Sequence, residues 1–534
     1  MKKLLLLGDE AIAQGAIDAG LSGIYAYPGT PSTEIMEYVL KSKEAKEKNI
    51  RSGWAANEKT AMEASLGMSY TGKRAMVCMK HVGLNVAADP FINSAITGAI
   101  GGLIVVVADD PSMHSSQNEQ DSRFYGKFAM IPTLEPANQQ EAYDMIHYGF
   151  GLSEKFGTPV LVRLSTRLAH SRAGIERKDI REQNEIHLPG DLKQFILLPA
   201  NARRRYKILL QNQPHFEEES DNSVLNRYFE GSDKSLGIIA CGIAYNYLLE
   251  NHPDRNIPFP VLKLGQYPIP YSKMERLYNE CKEILVLEDG YPFVEEIIKS
   301  YFGLGKKIKG RLDGTIPRDG ELNPNIVEKA LGMEIAETRT IPELVANRPP
   351  KLCDGCPHIY SYNALNEALA EYTKGRVFSD IGCYTLGALK PYEAINTCVD
   401  MGASITMAKG AADAGFTPTI AVIGDSTFTH SGMTGLLDAV NDNSSITVVI
   451  LDNSTVAMTG GQKSSATDKI EAICEALGVE KDHIIVMDPS PKQHEKNTKI
   501  FKKEIEYKGV SVIIPRRECI QTAAKRLKKE KRNL

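Results

Sequence analysis

No stretch of this 534-residue chain reaches the roughly 18 consecutive apolar residues that cross a membrane as a helix. The opening segment, MKKLLLLGDE, carries four leucines, yet it lacks the about 7 to 15 apolar residues and the small-residue cleavage site of a secretory signal. It reads as a first buried strand. A basic excess is also missing. Lys and Arg number 63 against 67 Asp and Glu, a net charge of −4, which argues against a nucleic-acid footprint. Aromatic residues make up only 7%, no short repeat recurs, and the 43 Gly and 27 Pro are spread along the chain, which excludes collagen, coiled coil and low-complexity disorder. These absences describe a cytoplasmic protein, with neither membrane nor nucleic acid as partner, whose default chemistry is on small molecules. Nine cysteines then point to reduced thiols, metal ligation or redox work rather than to a disulfide framework.

What is present is strand and helix in alternation. The composition is 42% apolar and 24% charged, and the length suggests about three or four domains. Residues 4–7, 23–27, 74–79, 103–108 and 160–164 read as strands, separated by amphipathic stretches such as 33–40 and 57–70. A polar stretch with Arg203-Arg204-Arg205 and the acidic run 217–221 reads as a domain boundary or an exposed connection. A second alternation has strands at 236–240, 261–264 and 284–287, and Gly-, Lys- and Pro-rich residues at 303–318 and 347–351 read as a linker. A third alternation runs over 352–514, with its clearest strands at 419–423 and 446–451. The basic tail, 525–534, reads as a solvated helix end. The expected fold is α/β, with three doubly wound parallel-sheet domains at 1–190, 191–310 and 351–534 and a linker at 311–350.

The most informative segment is 419–462. An apolar strand ends in Gly424-Asp425, a helix-like stretch runs from about Gly432 to Val440, and a second apolar strand ends in Asp452-Asn453. Both polar ends fall at the carboxyl edge of adjacent parallel strands, where ligands bind in open α/β sheets. A carboxylate, an amide oxygen and a backbone carbonyl suit Mg²⁺, which takes hard oxygen ligands and keeps phosphate oxygens in its shell. Gly424 and Gly432 allow close backbone approach, and the intervening helix N-terminus favours an anion. The plain alternative is a turn Asp and a turn Asn with no metal.

Gly424-Asp425-Ser426, with Asn453 28 positions after Asp425, resembles the thiamine-diphosphate fingerprint, usually Gly-Asp-Gly followed by Asn-Asn. Ser426 and Asp452 are the departures. The resemblance implies Mg²⁺ on Asp425, Asn453 and the main-chain oxygen of Thr455. It also implies an activating glutamate from a pyrimidine-binding domain, a proton relay at N1′ of the cofactor. Glu58 fits that role, in a segment of small residues where Asn57 is a plausible N-cap. Read alone, Glu58 is a first-turn helix acid.

Several further segments occur in family order: YPGTPSTEI, NEKTAMEA, ADDPSMHSSQNEQD, LPANARRR, CDGCPH, DIGCYTLG, GDSTFTHSG and DNSTVAMTGGQ. With them the chain resembles the large subunits of indolepyruvate:ferredoxin oxidoreductases from its first strand to about Thr522. The resemblance implies a thiamine-diphosphate-binding fold with pyrimidine-binding (1–190), connecting (191–310) and diphosphate-binding (351–534) domains. It implies oxidative decarboxylation of an aryl 2-oxoacid to an aryl-acetyl-CoA, with ferredoxin accepting electrons, CoA taking the acyl group, and a smaller β-type subunit in an oligomer. Thr30 would contact the substrate carboxylate or carbonyl. His114 is the acid-base candidate of the 109–120 loop, with a solvated loop histidine as the alternative. Met458 stands where pyruvate-using relatives commonly have Asn; it suits a larger, less polar substrate, or else packs the core.

Cys353 and Cys356 form a C-x-x-C, Cys383 follows Gly382, which would let the backbone approach a cofactor, and Cys519 lies near the end. By the resemblance these four would hold a [4Fe-4S] cluster; zinc or unligated thiols are the alternatives. The remaining cysteines read as core residues. Large subunits of this family usually continue into a ferredoxin-like domain, and this sequence stops at Leu534 without one, so electrons are expected to leave through another polypeptide, a ferredoxin or ferredoxin-like chain. Two other functions stay open: a non-oxidative thiamine-dependent decarboxylase and a catalytically silent scaffold subunit.

Overall fold

The structure is a computed structural model, and it describes residues 3–303, 305–333, 342, 344–346 and 349–533. Met1, Lys2, Leu534 and much of the expected linker, including Asn347 and Arg348, lie outside the described residues. The chain divides into two compact units, Met1–Arg339 and Thr340–Leu534.

The first unit is built on a seven-stranded sheet. Its order is Gln266–Tyr267, Thr133–Leu134, Val160–Ser165, Leu103–Asp109, Ala75–Lys80, Gly23–Ala26 and Arg51–Trp54, parallel throughout except for the first. The central strands are continuously apolar because both faces are covered. Met76, Cys78, Ile104 and Val106 face Ile12, Ile17, Tyr143 and Phe150 of helices Gly8–Asp18 and Gln139–Phe156. The alternate residues Val77, Met79, Val105 and Val107 face Met62 and Phe91 of helices Glu58–Tyr70 and Ala88–Thr97. The sheet is therefore doubly wound.

A second sheet in the same unit runs Lys307–Lys309, Glu283–Leu287, Leu236–Cys241, Val261–Leu264 and Arg227–Phe229, with only the last antiparallel. It shares a hydrophobic core with the first sheet. The two are also joined by a buried ion network. Arg163 binds Asp109 (2.7 Å) and Glu135 (2.5 Å) and donates to Asp289 O at 2.6 Å; Arg123 binds Asp121 (2.5 Å) and Glu288 (3.0 Å).

Three expectations need correction here. The first strand, Lys3–Leu7, is not buried: it pairs only with Arg172–Glu176, antiparallel, and Leu5 is 67% exposed. The polar stretch after 198 is no loose connection. It forms one helix, Pro199–Asp221, whose Leu209 and Phe216 are buried and whose Arg205 donates to Ile96 O and Thr97 O, while most of its other charges point outward. The 303–318 segment, read as linker from its Gly, Lys and Pro, is packed into the unit. Arg311 is 2% exposed and donates to the carbonyls of Glu288, Pro317 and Gly320, and helix Pro324–Ala330 follows. Composition misleads there because backbone carbonyls, not side chains, satisfy the buried guanidinium.

The second unit holds a five-stranded sheet, all parallel, in the order Val377–Ser379, Thr419–Gly424, Ile446–Leu451, Val510–Pro515 and Ile484–Met487. Helices Pro357–Ala368 and His494–Ile505 cover one face, and helices Ala403–Asp413 and Met433–Asn441 cover the other. Among the described residues no helix is long and apolar enough to cross a membrane.

Candidate active site

In the second unit the carboxyl ends of neighbouring strands place Asp380, Asp425, Asp452 and Asn453 along one edge, with Gly424 opposite Leu451 in register. The helix after Gly424 begins at once, at Asp425, rather than near Gly432. It passes through a π-helical turn, Phe428–Gly432, before continuing as Met433–Asn441. Such turns recur at functional sites. Asp425 is 2% exposed, and its Oδ2 has no hydrogen-bond partner. Burial first, then the neighbouring Asp452 carboxylate, pushes its pKa up to about 7. The Ser426 hydroxyl beside it is buried and equally unpartnered. These orphaned oxygens at a helix start fit a cation and the phosphate it carries.

Asn453 is held on both sides. Its Oδ1 accepts from Thr455 N at 3.1 Å, and its Nδ2 donates to His358 Nε2 at 3.3 Å. His358 is fully buried, which lowers its pKa to about 4, so the ring is neutral and can accept. His358 was visible in the sequence only as the end of CDGCPH. The Asp452 departure has its own partners: Ser454 N at 3.1 Å, and Arg516 Nε at 2.6 Å, with Arg516 in turn paired to Glu471. Asp452 is therefore occupied, which leaves Asp425 Oδ2 as the open ligand atom, with the second lone pair of the fixed Asn453 Oδ1 beside it in the set. Thr455 is buried, with its hydroxyl on Gln462 O at 3.0 Å. Met458 is 60% exposed in the short turn Ala457–Thr459, which overturns the core-packing alternative.

Gly382 and Gly424 serve a neighbour within the chain. A Cβ on either would meet the Tyr384 ring, at 2.2 and 2.5 Å. That ring is buried, and its hydroxyl donates to Asp380, which also accepts from Ser404 Oγ at 2.6 Å. The lack of a side chain at Gly382, expected to admit a cofactor, thus also makes room for this aromatic contact.

The four cysteines expected to act together share one electrostatic neighbourhood. Burial pushes the Cys383 thiol up to about 12, with Cys519, Cys356 and Cys353 adding to it; burial, Cys353 and Cys519 push Cys356 up to about 11. Cys519 reaches the group because the segment after strand Val510–Pro515 turns back across the sheet edge. Its N donates to Asn453 O at 3.3 Å, and Arg517 N donates to Asp452 O at 2.9 Å. Cys353 is exposed and accepts from Gln521 Nε2 at 3.6 Å. Four thiols of which three are partly sheltered and feel one another's charge are of the kind an iron-sulfur cluster takes as thiolates. Among the described residues none of the nine cysteines forms a disulfide.

In the first unit the carboxyl edge of the seven-stranded sheet carries Thr30, Glu58, Lys80 and Asp110. Asn57 caps helix Glu58–Tyr70, accepting from Thr60 N at 2.9 Å. Glu58 is 5% exposed and lies over Gly83, where a Cβ would stand 2.7 Å from Oε1. Lys80 was missed in the sequence, although a lysine ending the apolar strand Ala75–Lys80 was a signal. Burial lowers its pKa, while Asp110 and Glu58 oppose that shift, so the three groups share one field. Lys80 Nζ donates to Ser115 O at 3.0 Å, and Ser115 Oγ donates to Thr30 O at 3.2 Å, which ties the 27–34 and 109–120 loops together. Burial pushes Asp110 up, but hydrogen bonds from Ser116, Ser115 and Thr166 hold it below its ordinary range. His114 sits away from this group, half-exposed, 3.3 Å from Glu321.

Known proteins resemble both parts of the chain. A family model described as "Pyruvate flavodoxin/ferredoxin oxidoreductase, thiamine diP-bdg" matches residues 14–213, and one described as "Thiamine pyrophosphate enzyme, C-terminal TPP binding domain" matches 380–514. Fold and site thus define a thiamine-diphosphate-dependent 2-oxoacid oxidoreductase. The chain belongs to the family of indolepyruvate oxidoreductase IorA subunits. It is 40% identical to the IorA subunit of Archaeoglobus fulgidus over 97% of this chain and 86% of that one. It is 38% identical to that of Methanothermobacter thermautotrophicus over 97% and 87%. A solved structure, the 2-oxoglutarate:ferredoxin oxidoreductase from Magnetococcus marinus, shares the fold at 18% identity, with a TM-score of 0.52 over 62% of this chain and 65% of that one.

Proposed function

We propose that this chain is the thiamine-diphosphate-bearing subunit of a cytoplasmic enzyme that oxidatively decarboxylates an aryl 2-oxoacid of the indolepyruvate kind. The acyl group passes to CoA and the electrons to ferredoxin, and a smaller subunit completes an oligomer. The observation that carries the reading is Asp425, a buried carboxylate with an unsatisfied oxygen at a helix start, beside an Asn453 whose amide is fixed by His358 and Thr455.

Asp425, Asn453 and the main-chain oxygen of Thr455 would hold Mg²⁺, and the unpartnered Ser426 hydroxyl would be available to the diphosphate it carries. When bound, thiamine diphosphate supplies a thiazolium that accepts the electron pair released as CO₂ leaves. Glu58, sheltered from water, exchanges a proton with N1′ of the aminopyrimidine. Thr30, in a loop braced through Ser115 and Lys80, orients the substrate carboxylate, and His114 serves the second loop as an acid-base group. Met458 presents an exposed, flexible apolar side chain to an aryl substrate. Cys353, Cys356, Cys383 and Cys519 would hold one [4Fe-4S] cluster, which would supply single-electron chemistry, and their mutual electrostatic influence supports the oxidative over the non-oxidative reaction.

Anaerobic purification followed by iron and acid-labile sulfide analysis tests this. About four of each per chain is expected, together with acyl-CoA as product; an iron-free protein releasing an aldehyde overturns the oxidative reading. Glu58→Gln is expected to abolish turnover while Mg²⁺ still binds. Unchanged turnover removes Glu58 from its role.

A further inference from the structure

The first turn of helix Gly8–Asp18 carries a carboxylate that the chain leaves unsatisfied. Asp9 is fully buried, and neither of its carboxylate oxygens has a hydrogen-bond partner. A buried charge persists only when it is paired or ligates a metal. Two neighbouring helices deliver further ligands to it. A Cβ on Gly8 would stand 2.2 Å from Leu168 O, so helix Thr166–His170 crosses directly over this turn. Helix Thr33–Lys41 packs alongside, with Tyr38 donating to Gln14 Oε1 at 2.7 Å.

One ligand atom from each of Asp9, Glu34 and His170 lies within 4.8 Å of the other two. Glu34 Oε2 is also buried without a hydrogen bond, 3.6 Å from His170 Nε2. Glu34 and Glu10 open onto a surface cavity of about 370 Å³ lined by four glutamates, the other two being Glu37 and Glu44, against Lys41, Lys43 and Arg177. We propose that Asp9, Glu34 and His170 form a binding site for a divalent first-row metal cation, of the Mn²⁺ to Zn²⁺ class, entered through this acidic groove. Two carboxylates with one imidazole suit such ions, whose bonds of about 2.0–2.2 Å need only a small inward movement of these side chains. The ion neutralises two carboxylates that otherwise repel. In its absence burial, Glu34 and Glu10 drive the Asp9 pKa up, and a proton is the rival occupant. The site lies in the first unit, apart in sequence from Asp425, and pins the helix that follows the Thr30 loop.

The test uses the full chain, treated with a chelator and kept free of thiamine diphosphate, titrated with Mn²⁺ while the free ion is followed by electron paramagnetic resonance. One bound Mn²⁺ per chain beyond any held at Asp425 is expected, and it is the one that persists in Asp425→Asn. Its affinity falls at least about tenfold in Asp9→Asn, Glu34→Gln and His170→Gln. Mn²⁺ also raises the Tm of the unaltered chain but not that of His170→Gln, a change at a half-exposed side chain that keeps the fold. Full Mn²⁺ affinity in both His170→Gln and Asp9→Asn overturns the site. So does the absence of binding below about 1 mM; Asp9 is then a protonated carboxyl.

Discussion

Glu58 keeps its place because Gly83 has no side chain. Alanine normally favours a helix over glycine by about 0.5–1 kcal/mol, so Gly83→Ala in helix His81–Val86 would ordinarily be neutral or stabilising. Here its Cβ would stand 2.7 Å from the Glu58 carboxylate. We expect turnover to fall at least about tenfold with Tm nearly unchanged, because a misplacement of about 1 Å in a catalytic group costs far more in rate than in stability. Steady-state kinetics and a melting curve on the same sample decide it. Asp425 gives a pH-dependent counterpart. Its folded pKa of about 7 is raised above the ordinary 3.8, so the metal-free folded state holds a proton that the unfolded chain has already released. Its stabilising contribution is complete below about pH 4 and lost as pH rises through 7. Mg²⁺ competes with that proton. Its apparent affinity should fall about tenfold per pH unit below 7 and level off above, as calorimetric titration between pH 5.5 and 8.5 would measure.

At the scale of elements, the working parts are ends rather than bodies of strands. Arg516, just past strand Val510–Pro515, holds Asp452 and Glu471 together while the chain turns toward Cys519. Arg516→Met leaves the buried Asp452 carboxylate without its guanidinium, at a cost of about 1–3 kcal/mol. Reduced iron content on anaerobic purification should accompany the lower Tm; full iron content would show that Cys519 is positioned without it. The strands themselves were legible in the sequence. The buried parallel strands at 103–109, 419–424 and 446–451 are continuous apolar runs, and such runs announce themselves. Asp425, Asn453 and Glu58 were legible too, because a short motif at a strand end survives any uncertainty about helix bounds. Lys80, His358 and Tyr384 were not. Lys80 and His358 act through partners distant in sequence, and Tyr384 packs against Gly424 as well as its neighbours Asp380 and Gly382; periodicity carries no information about such partners. The 303–318 segment misled for the same reason, since Arg311 is satisfied by carbonyls that composition cannot reveal.

In the first unit the two sheets are joined by apolar packing and by a buried set of charges. Arg163 alone bridges Asp109 of the seven-stranded sheet, Glu135 just beyond it and the Asp289 carbonyl from the smaller sheet. Arg163→Met is expected to lower stability by about 3–5 kcal/mol, because it strands two buried carboxylates. Urea denaturation would measure the loss. A separate early transition for the smaller sheet would further show that this arginine makes the unit cooperative.

The hydrogen bond from Cys519 N to Asn453 O joins one of the proposed cluster cysteines to one of the proposed Mg²⁺ ligands through a few atoms of backbone. Ligands that share a rigid strut cannot be ordered independently. With both proposed groups bound, whatever factor iron loading adds to the affinity for Mg²⁺ and diphosphate, those ligands must return to iron, because a coupling free energy is the same read from either side. Loss of the cofactor and loss of iron would then be one failure with two symptoms.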